Sequence, residues 1–457
     1  MKLNFSFFFL QVLFCSTSIF AGNAIAVNNL AGYNVLSFGA IADGVTDNTQ
    51  SFQKALDKAA ETGSAVFIPA GKYLIKGSLL LNAVALVGEN QAVRAPGPLN
   101  GTVIMSTGGR DNENAPSLFE MRGSSSVKGL TVYYPEQLPD DVHPYPWTFH
   151  IGDENLKEEV FDCTIENITL INSYNGIFAG PCENGRHTIH KVFGTVLHRG
   201  IFVESVGDVG RISEIHFHCV YCKDAETKGD FWKVFRYMQE NLVAFTIGRS
   251  DWEYVTNTFV FPAKLGYWFK KTIADEQWTG SPNGQFSGIG CDASGCCIRV
   301  DQIQPMGLLI TNGQFNSHLT GDSTQVVIGD SCEGSVRFVN CGFWGPVKHN
   351  ALINGNGFIS FTDCYFSNNY YDSTFYSIEA RGGRLQVNNC TFDAVQSEKS
   401  KEEKWTYQGE KTAPPSVHIG KGVQHAVVSG NNGFYGVAIK NEIGSNAYIE
   451  GNEPYKK

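Results

Sequence analysis

The chain is poor in charge and in methionine: 18% of its 457 residues are Asp, Glu, Lys or Arg, and only 5 are Met. What charge there is leans acidic, with a formal net of −10 at pH 7. That balance excludes a nucleic-acid binder, which needs a basic surface to displace counterions. It equally excludes a protein held electrostatically to anionic lipid. An anionic substrate stays open only to a local cluster of cations that outweighs the global field. Beyond the amino-terminal stretch, no segment is apolar over the ~20 residues a membrane helix needs. No Trp-Asp signature recurs and no linker divides the chain, so a propeller and a string of immunoglobulin-like domains are set aside. No phosphate loop, nucleophile elbow or His-Glu-x-x-His stands out. Disorder is excluded by 42% hydrophobic and 12% aromatic residues.

At the amino terminus, Lys2 precedes an apolar run, Phe5 to Phe14, and a small-residue stretch ending in Ala24-Ile25-Ala26. A basic start, a short apolar core and an A-x-A site read as a secretory signal peptide over residues 1–26. The mature chain, 27–457, is then expected to be exported. Cys15 is one of 12 cysteines and leaves with the signal, so an odd number remains and at least one thiol is free or bonded between chains. Cys341-Gly342-Phe343, Cys364-Tyr365-Phe366 and Cys390-Thr391-Phe392 recur at near-regular spacing. They read as one stacked core column, not a disulfide framework.

Short alternating phrases follow one another without long helices: Ile165–Asn172, Ile212–Cys219, Gly334–Cys341, Phe358–Cys364 and Arg384–Cys390. Alternation of apolar and polar residues marks half-buried strands. Gly followed by a short apolar strand interleaves with them, as at Asn175-Gly176-Ile177-Phe178 and Arg199-Gly200-Ile201-Phe202. A period of ~20–50 residues with several strands in each repeat indicates a solenoid. The Asn-rich turns and the Cys–Phe column favour a parallel β-helix, all-β and continuous from 27 to 457. The charge run Glu398–Lys404 reads as a solvated loop inserted between coils.

Residues 27–75 form the expected cap and first coil. Asn34-Val35, Phe38-Gly39-Ala40 and Asp43-Gly44-Val45-Thr46-Asp47-Asn48-Thr49 precede a helix with Phe52, Ala55, Leu56, Ala59 and Ala60 on one face. Asp47 with Gln50 can cap it and Gly63 can end it. Ala65-Val66-Phe67-Ile68-Pro69-Ala70-Gly71-Lys72-Tyr73 then supplies a strand and a turn. This passage closely resembles the start of the pectate-lyase-like superfamily, which includes rhamnogalacturonases and polysaccharide epimerases. The resemblance implies a single-stranded right-handed parallel β-helix plugged by the helix. Asn48 stands where that family often has a second Asp. Asp43 and Asp47 are read as turn and cap residues.

Polygalacturonases, relatives in that superfamily, carry acids just before the Gly-Ile turns. Here those turns read Ser173-Tyr174-Asn175-Gly176, Leu197-His198-Arg199-Gly200 and Lys264-Leu265-Gly266, without acids. Catalytic carboxylates are therefore expected elsewhere. With Ile168, Ile215 and Val255 superposed as inward residues, one outward flank would collect His216 and His218, Tyr133 and Glu136, Arg249, Asp251, Trp252 and Glu253, and Arg299 with Asp301. Aromatic faces stack on sugars, and paired carboxylates hydrolyse glycosides. Asp251, Glu253, Asp301 and His218 are the expected acid/base groups. His216, Arg249, Arg299, Trp252, Tyr133 and Glu136 are the expected substrate contacts.

His216-x-His218 and Cys219-x-x-Cys222 offer ligand types zinc accepts, but the histidines should point out and Cys219 in, so no metal is assigned. Some relatives use calcium, though no dense Asp cluster marks a site here. The expected activity is glycoside hydrolysis of a polysaccharide, with uronate elimination or C5-epimerisation next, and a non-catalytic carbohydrate-binding solenoid as the rival class. The partner is a polysaccharide, without nucleic acid or membrane span, and a monomer is the simplest state.

Overall fold

The computed structural model describes residues 32–455 apart from 94–95, 139–140, 154, 156–157, 223–228, 275, 277, 318–322, 369–373, 394–395, 399–403 and 407–414. The expected signal peptide at 1–26 lies outside the described residues. Parallel pairing runs unbroken from Gly32–Asn34 to Ala447–Glu450, each strand bonding to its counterpart one coil away. The result is a parallel β-helix with three long sheets. The first runs through 65–68, 164–166, 211–213 and 384–388; the second through 102–106, 169–171, 216–218 and 391–393; the third through 119–122, 147–151, 199–203, 265–269 and 296–300. Among the described residues no helix is long and apolar enough to cross a membrane.

The bend from the first sheet to the second is the same at eleven successive rungs. Gly129, Asn167, Lys191, Glu214, Asn257, Gly288, Asn312, Asn340, Asp363, Asn389 and Gly430 all take a left-handed backbone, with φ between 51° and 67°. Asn and Gly tolerate that conformation best, which explains the Asn-rich turns. Asn340 Nδ2 donates to Asn312 Oδ1 one rung away at 2.8 Å. Beyond the bend the Cys–Phe column stacks as expected: Cys341, Cys364 and Cys390 are buried, and the rings of Phe315, Phe343, Phe366 and Phe392 lie 5.2, 5.0 and 4.9 Å apart. All eleven described cysteines are free thiols.

Helix α1 (Thr49–Thr62) closes the amino-terminal end by burying Phe52, Ala55, Leu56 and Ala59; Ala60, expected on that face, is exposed. Asp47 Oδ1 accepts from Thr49 N at 3.0 Å, Asp43 Oδ1 accepts from Val45 N and Thr46 N, and Gly63 ends the helix at φ 66°. Both carboxyls are therefore turn and cap groups. Asn48 is buried and its amide donates to Ile41 O and Thr46 O while accepting from Ile41 N, a set a carboxylate could not satisfy. Most of the Glu398–Lys404 charge run, residues 399–403, lies outside the described residues; Gln396–Glu398 pairs antiparallel with Lys404–Thr406 as a separate two-stranded sheet.

On the third sheet, His150 Nδ1 lies 2.6 Å from Glu120 Oε2 and Nε2 lies 2.7 Å from Gly180 O. Burial pushes the Glu120 carboxyl up, but His150 and Ser117 outweigh it and hold it below its usual range. A carboxyl with a depressed folded value adds stability above its unfolded pKa of about 4.3 and loses it as pH falls further. Glu120→Gln is expected to cost about 2 kcal/mol at pH 7, with the deficit shrinking below pH ~4. Urea unfolding at both pH values checks this, and a deficit independent of pH would contradict it.

Candidate functional site

The corner from the second sheet to the third is short at 172–174 and 196–198, and long at 107–118, 134–146 and 219–242. Long loops therefore flank a stretch of third sheet whose own corner residues stay accessible. Tyr174 and His198 occupy equivalent positions one rung apart, because Asn175 pairs with Arg199. Their rings stack at 4.6 Å. The loop at 107–118 brings Glu113 over them: Glu113 Oε2 is 4.0 Å from His198 Nδ1 and 3.7 Å from Arg199. Both Glu113 Oε2 and His198 Nδ1 are shielded from solvent without a hydrogen-bond partner. Arg199 also lies over the Trp147 ring.

Burial, and then the Arg199 charge, pull His198 below the usual histidine value against the opposing pull of Glu113. Burial, and then Glu113, push the Tyr174 phenol up. At neutral pH the corner holds an unprotonated imidazole beside a protonated phenol, the separation that base and acid roles require.

The outer face of the third sheet continues from this corner. Trp147 stacks on Phe178 at 5.4 Å and Phe178 on Phe202 at 5.1 Å. Lys270 Nζ lies 5.1 Å from the Phe202 ring centre and 4.4 Å from that of Trp268. Trp268 Nε1 donates to Asp301 Oδ2 at 2.7 Å, and Arg299 Nε to Asp301 Oδ1 at 2.9 Å. Glu204, Lys270 and Asp301 follow the strands at equivalent positions. Burial raises the Glu204 carboxyl and lowers the Lys270 amine from their usual values. Aromatic platforms interleaved with cations make a face suited to sugar rings that carry negative charge.

The single flank expected from the sequence divides. Arg299 and Asp301 lie on the third-sheet face. Arg249 donates to Val206 O and lies 3.5 Å from Asp251, which also accepts from Gln304 at 3.0 Å, in the turn that leaves this sheet. Trp252 is exposed in the same turn, with φ 58°. Glu253 is a correction: it is fully buried, 3.1 Å from the equally buried His187 Nε2, and cannot meet a polymer. His216 and His218 are on the second sheet. His216 Nδ1 is 2.9 Å from the Tyr221 hydroxyl, and His218 stacks on Phe261 and faces Phe231 of helix α2 (Phe231–Asn241). Burial lowers His218 to about 4. Its Nδ1 accepts from Val220 N at 2.9 Å, so the histidines and Cys219/Cys222 do not converge on one point. Among the described residues no group of three or more His, Cys, Asp or Glu is arranged to hold a metal. Tyr133 is buried against Leu99, Val103 and Ile171, and Glu136 braces the 134–146 loop by accepting from Arg110 and Tyr145 at 3.2 Å each.

The coil stack defines the chain as a parallel β-helix protein. Residues 32–95 match the family "Rhamnogalacturonase A/epimerase, pectate lyase-like". This partial match and the coil stack support a pectate-lyase-like parallel β-helix superfamily. It is 28% identical over 173 residues to the tail spike protein of Shigella phage Sf6, 35% of this chain and 27% of that one. It is 50% identical over 46 residues to mannuronan C5-epimerase AlgE5 of Azotobacter vinelandii, 10% of this chain and 5% of that one. The matches thus span about a quarter or less of those relatives' lengths. Among solved structures, the surface adhesin PfbA of Streptococcus pneumoniae is similar with a TM-score of 0.40 and 16% identity, covering 92% of each chain.

Proposed function

We propose that the chain is an exported enzyme that removes the C5 proton of a uronate in an acidic polysaccharide, leaving the polymer either cleaved by elimination or inverted at that carbon. The observation that carries this reading is His198, held unprotonated, stacked on Tyr174, 4.0 Å from Glu113 and adjoining Arg199. His198 takes the C5 proton as general base, and Glu113 orients and stabilises the imidazolium that forms. The electron pair left at C5 delocalises into the uronate carboxylate, whose charge Arg199 neutralises. In elimination the C4–O bond breaks, C4=C5 forms, and Tyr174 gives its proton to the departing oxygen. In epimerisation a proton from solvent returns to C5 on the face opposite His198. Arg199 and Lys270, set over aromatic rings of the third sheet, are the cations such a substrate would meet. The partial likeness to a mannuronan C5-epimerase favours the same substrate class, and the pattern at residues 1–26 favours export.

Glycoside hydrolysis, the first expectation, is less well supported. Glu204 and Asp301 sit three rungs apart, about 14 Å along the axis at the usual strand spacing. Hydrolytic carboxylates stand at ~5–5.5 or ~6.5–9.5 Å.

The test is to incubate the mature protein with alginate and with polygalacturonate in deuterated water. Elimination is read as an ultraviolet-absorbing unsaturated end, whose C5 carries no hydrogen, and epimerisation as deuterium at C5 of inverted residues without cleavage. New reducing ends with neither ultraviolet absorbance nor deuterium would return the assignment to hydrolysis. Binding without any turnover would make the chain a carbohydrate-binding solenoid.

A further inference from the structure

Two to three coils toward the amino terminus from His198, a cavity of about 180 Å³ opens beneath the loop that carries Glu113. It is many times the ~10–15 Å³ that one water needs. Lys76, Ser106, Gly109, Ala115, Tyr134 and Pro146 line it. Its polar groups are built in: Ser106 and Tyr134 are buried, and the Tyr134 hydroxyl is fixed 2.9 Å from Thr148 Oγ1. Pro146 and Ala115 add an apolar wall, and Lys76 places a cation at the rim. Gly109 at φ 72° lets the loop pass over Pro146; a Cβ there would lie 2.6 Å from the Pro146 ring. The cavity and the base share their elements. Ala115 and Glu113 belong to one loop, and Pro146 leads directly into Trp147, which Arg199 covers.

Resting on the proposed function, we infer that this cavity receives the terminal uronate of the polymer, so that the enzyme works from a chain end. A polymer running along the third sheet toward the amino terminus reaches Lys76, Gly77 and Ser78, which line the cavity just before the first strand of that sheet, Leu79–Asn82. Such a cavity accepts an end and stops a continuing chain. Small loop residues leave room for one sugar ring, Ser106 and Tyr134 face its hydroxyls, and Lys76 pairs with its carboxylate. From the Phe119 rung beside the cavity to the Arg199 rung is three rungs, about 14 Å. One sugar per rung then puts the reacting residue two or three sugars from the end.

The test uses a uronate trisaccharide and the long polymer as probes, with binding read by intrinsic tryptophan fluorescence so that turnover is not needed. Ala115→Trp fills the cavity, and Lys76→Ala, at an exposed position, removes its charge without filling it. Both are expected to weaken trisaccharide binding, Lys76→Ala by about tenfold as one lost charged hydrogen bond, while polymer binding along the third sheet falls much less. Wild-type protein should also release di- or trisaccharides, or invert residues near chain ends, from the earliest times. Unchanged trisaccharide binding in Lys76→Ala, or products of random length at early conversion, overturns the chain-end assignment alone. Failure of wild-type protein to bind either probe overturns the proposed function and this inference with it.

Discussion

His198→Gln should lower turnover of the uronate polymer by about 10³-fold, the usual worth of a positioned general base, with little change in KM. The imidazole is the group whose surroundings suit it to proton abstraction, since burial and Arg199 hold it unprotonated at neutral pH. The active form is the neutral one, so activity rises as pH passes upward through the His198 value. That acid limb should fall below the ordinary histidine value of about 6.5. Glu113→Gln adds a sharper test. The Glu113 charge raises His198, so its removal should move the acid limb to still lower pH while turnover falls, because the imidazolium loses its partner. A merely structural role for Glu113 would lower turnover without moving the limb. Wild-type turnover in His198→Gln would sink the mechanism.

Glu253→Ala should act in the opposite way, costing stability and sparing chemistry. Glu253 and His187 are both fully buried and face each other at 3.1 Å, and a Cβ on Gly210 would meet the carboxylate at 2.3 Å and the imidazole at 2.5 Å. Removing one partner leaves the other polar group uncompensated in the core, an expected loss of about 3–5 kcal/mol. Removing both, in His187→Ala with Glu253→Ala, should cost less than the sum of the two single changes. Urea unfolding measures the stability, and activity normalised to folded protein should stay at the wild-type level. Catalytic loss in Glu253→Gln with unchanged stability would restore the role expected for this acid from its sequence neighbourhood.

The cap, the coil plan and the Cys–Phe column were legible because each rests on a local rule: a helix face, a period of two, and the same residue types at the same rung. The register between 211–218 and 254–261 was not. Val255 looks like the partner of Ile215, yet Thr258 pairs with Ile215 and Val255 with Ile212. The interior position after the bend holds a threonine, whose hydroxyl is satisfied by the buried Tyr267 hydroxyl at 2.8 Å, and a polar residue there shifts the apparent apolar phase by three. His216 and His218 consequently pair with Phe259 and Phe261, on a different sheet from Asp301. The corner itself was in view as the phrases Tyr174-Asn175-Gly176 and His198-Arg199-Gly200, set aside for want of an acid. The acid arrives from Glu113, some eighty residues earlier in a loop, and no spacing rule reports a contact made by a loop. The signal available was the pair of ionisable side chains, Tyr174 and His198, at the same place in turns one coil apart.

The repeated left-handed bend also bears on how such a chain can change length. Asn340 and Asp363 hold the same backbone conformation, and each is followed by a buried cysteine and then a stacked phenylalanine. Excising residues 341–363 would join Asn340 to Cys364 and recreate a native junction, shortening the rod by one rung, about 4.8 Å. Gain or loss of whole turns is therefore geometrically cheap, whereas a deletion that cuts into a strand would throw the side chains of its rung out of their columns. Descent by counted units, with the reacting end left untouched, is a route open to this architecture and closed to an ordinary globule.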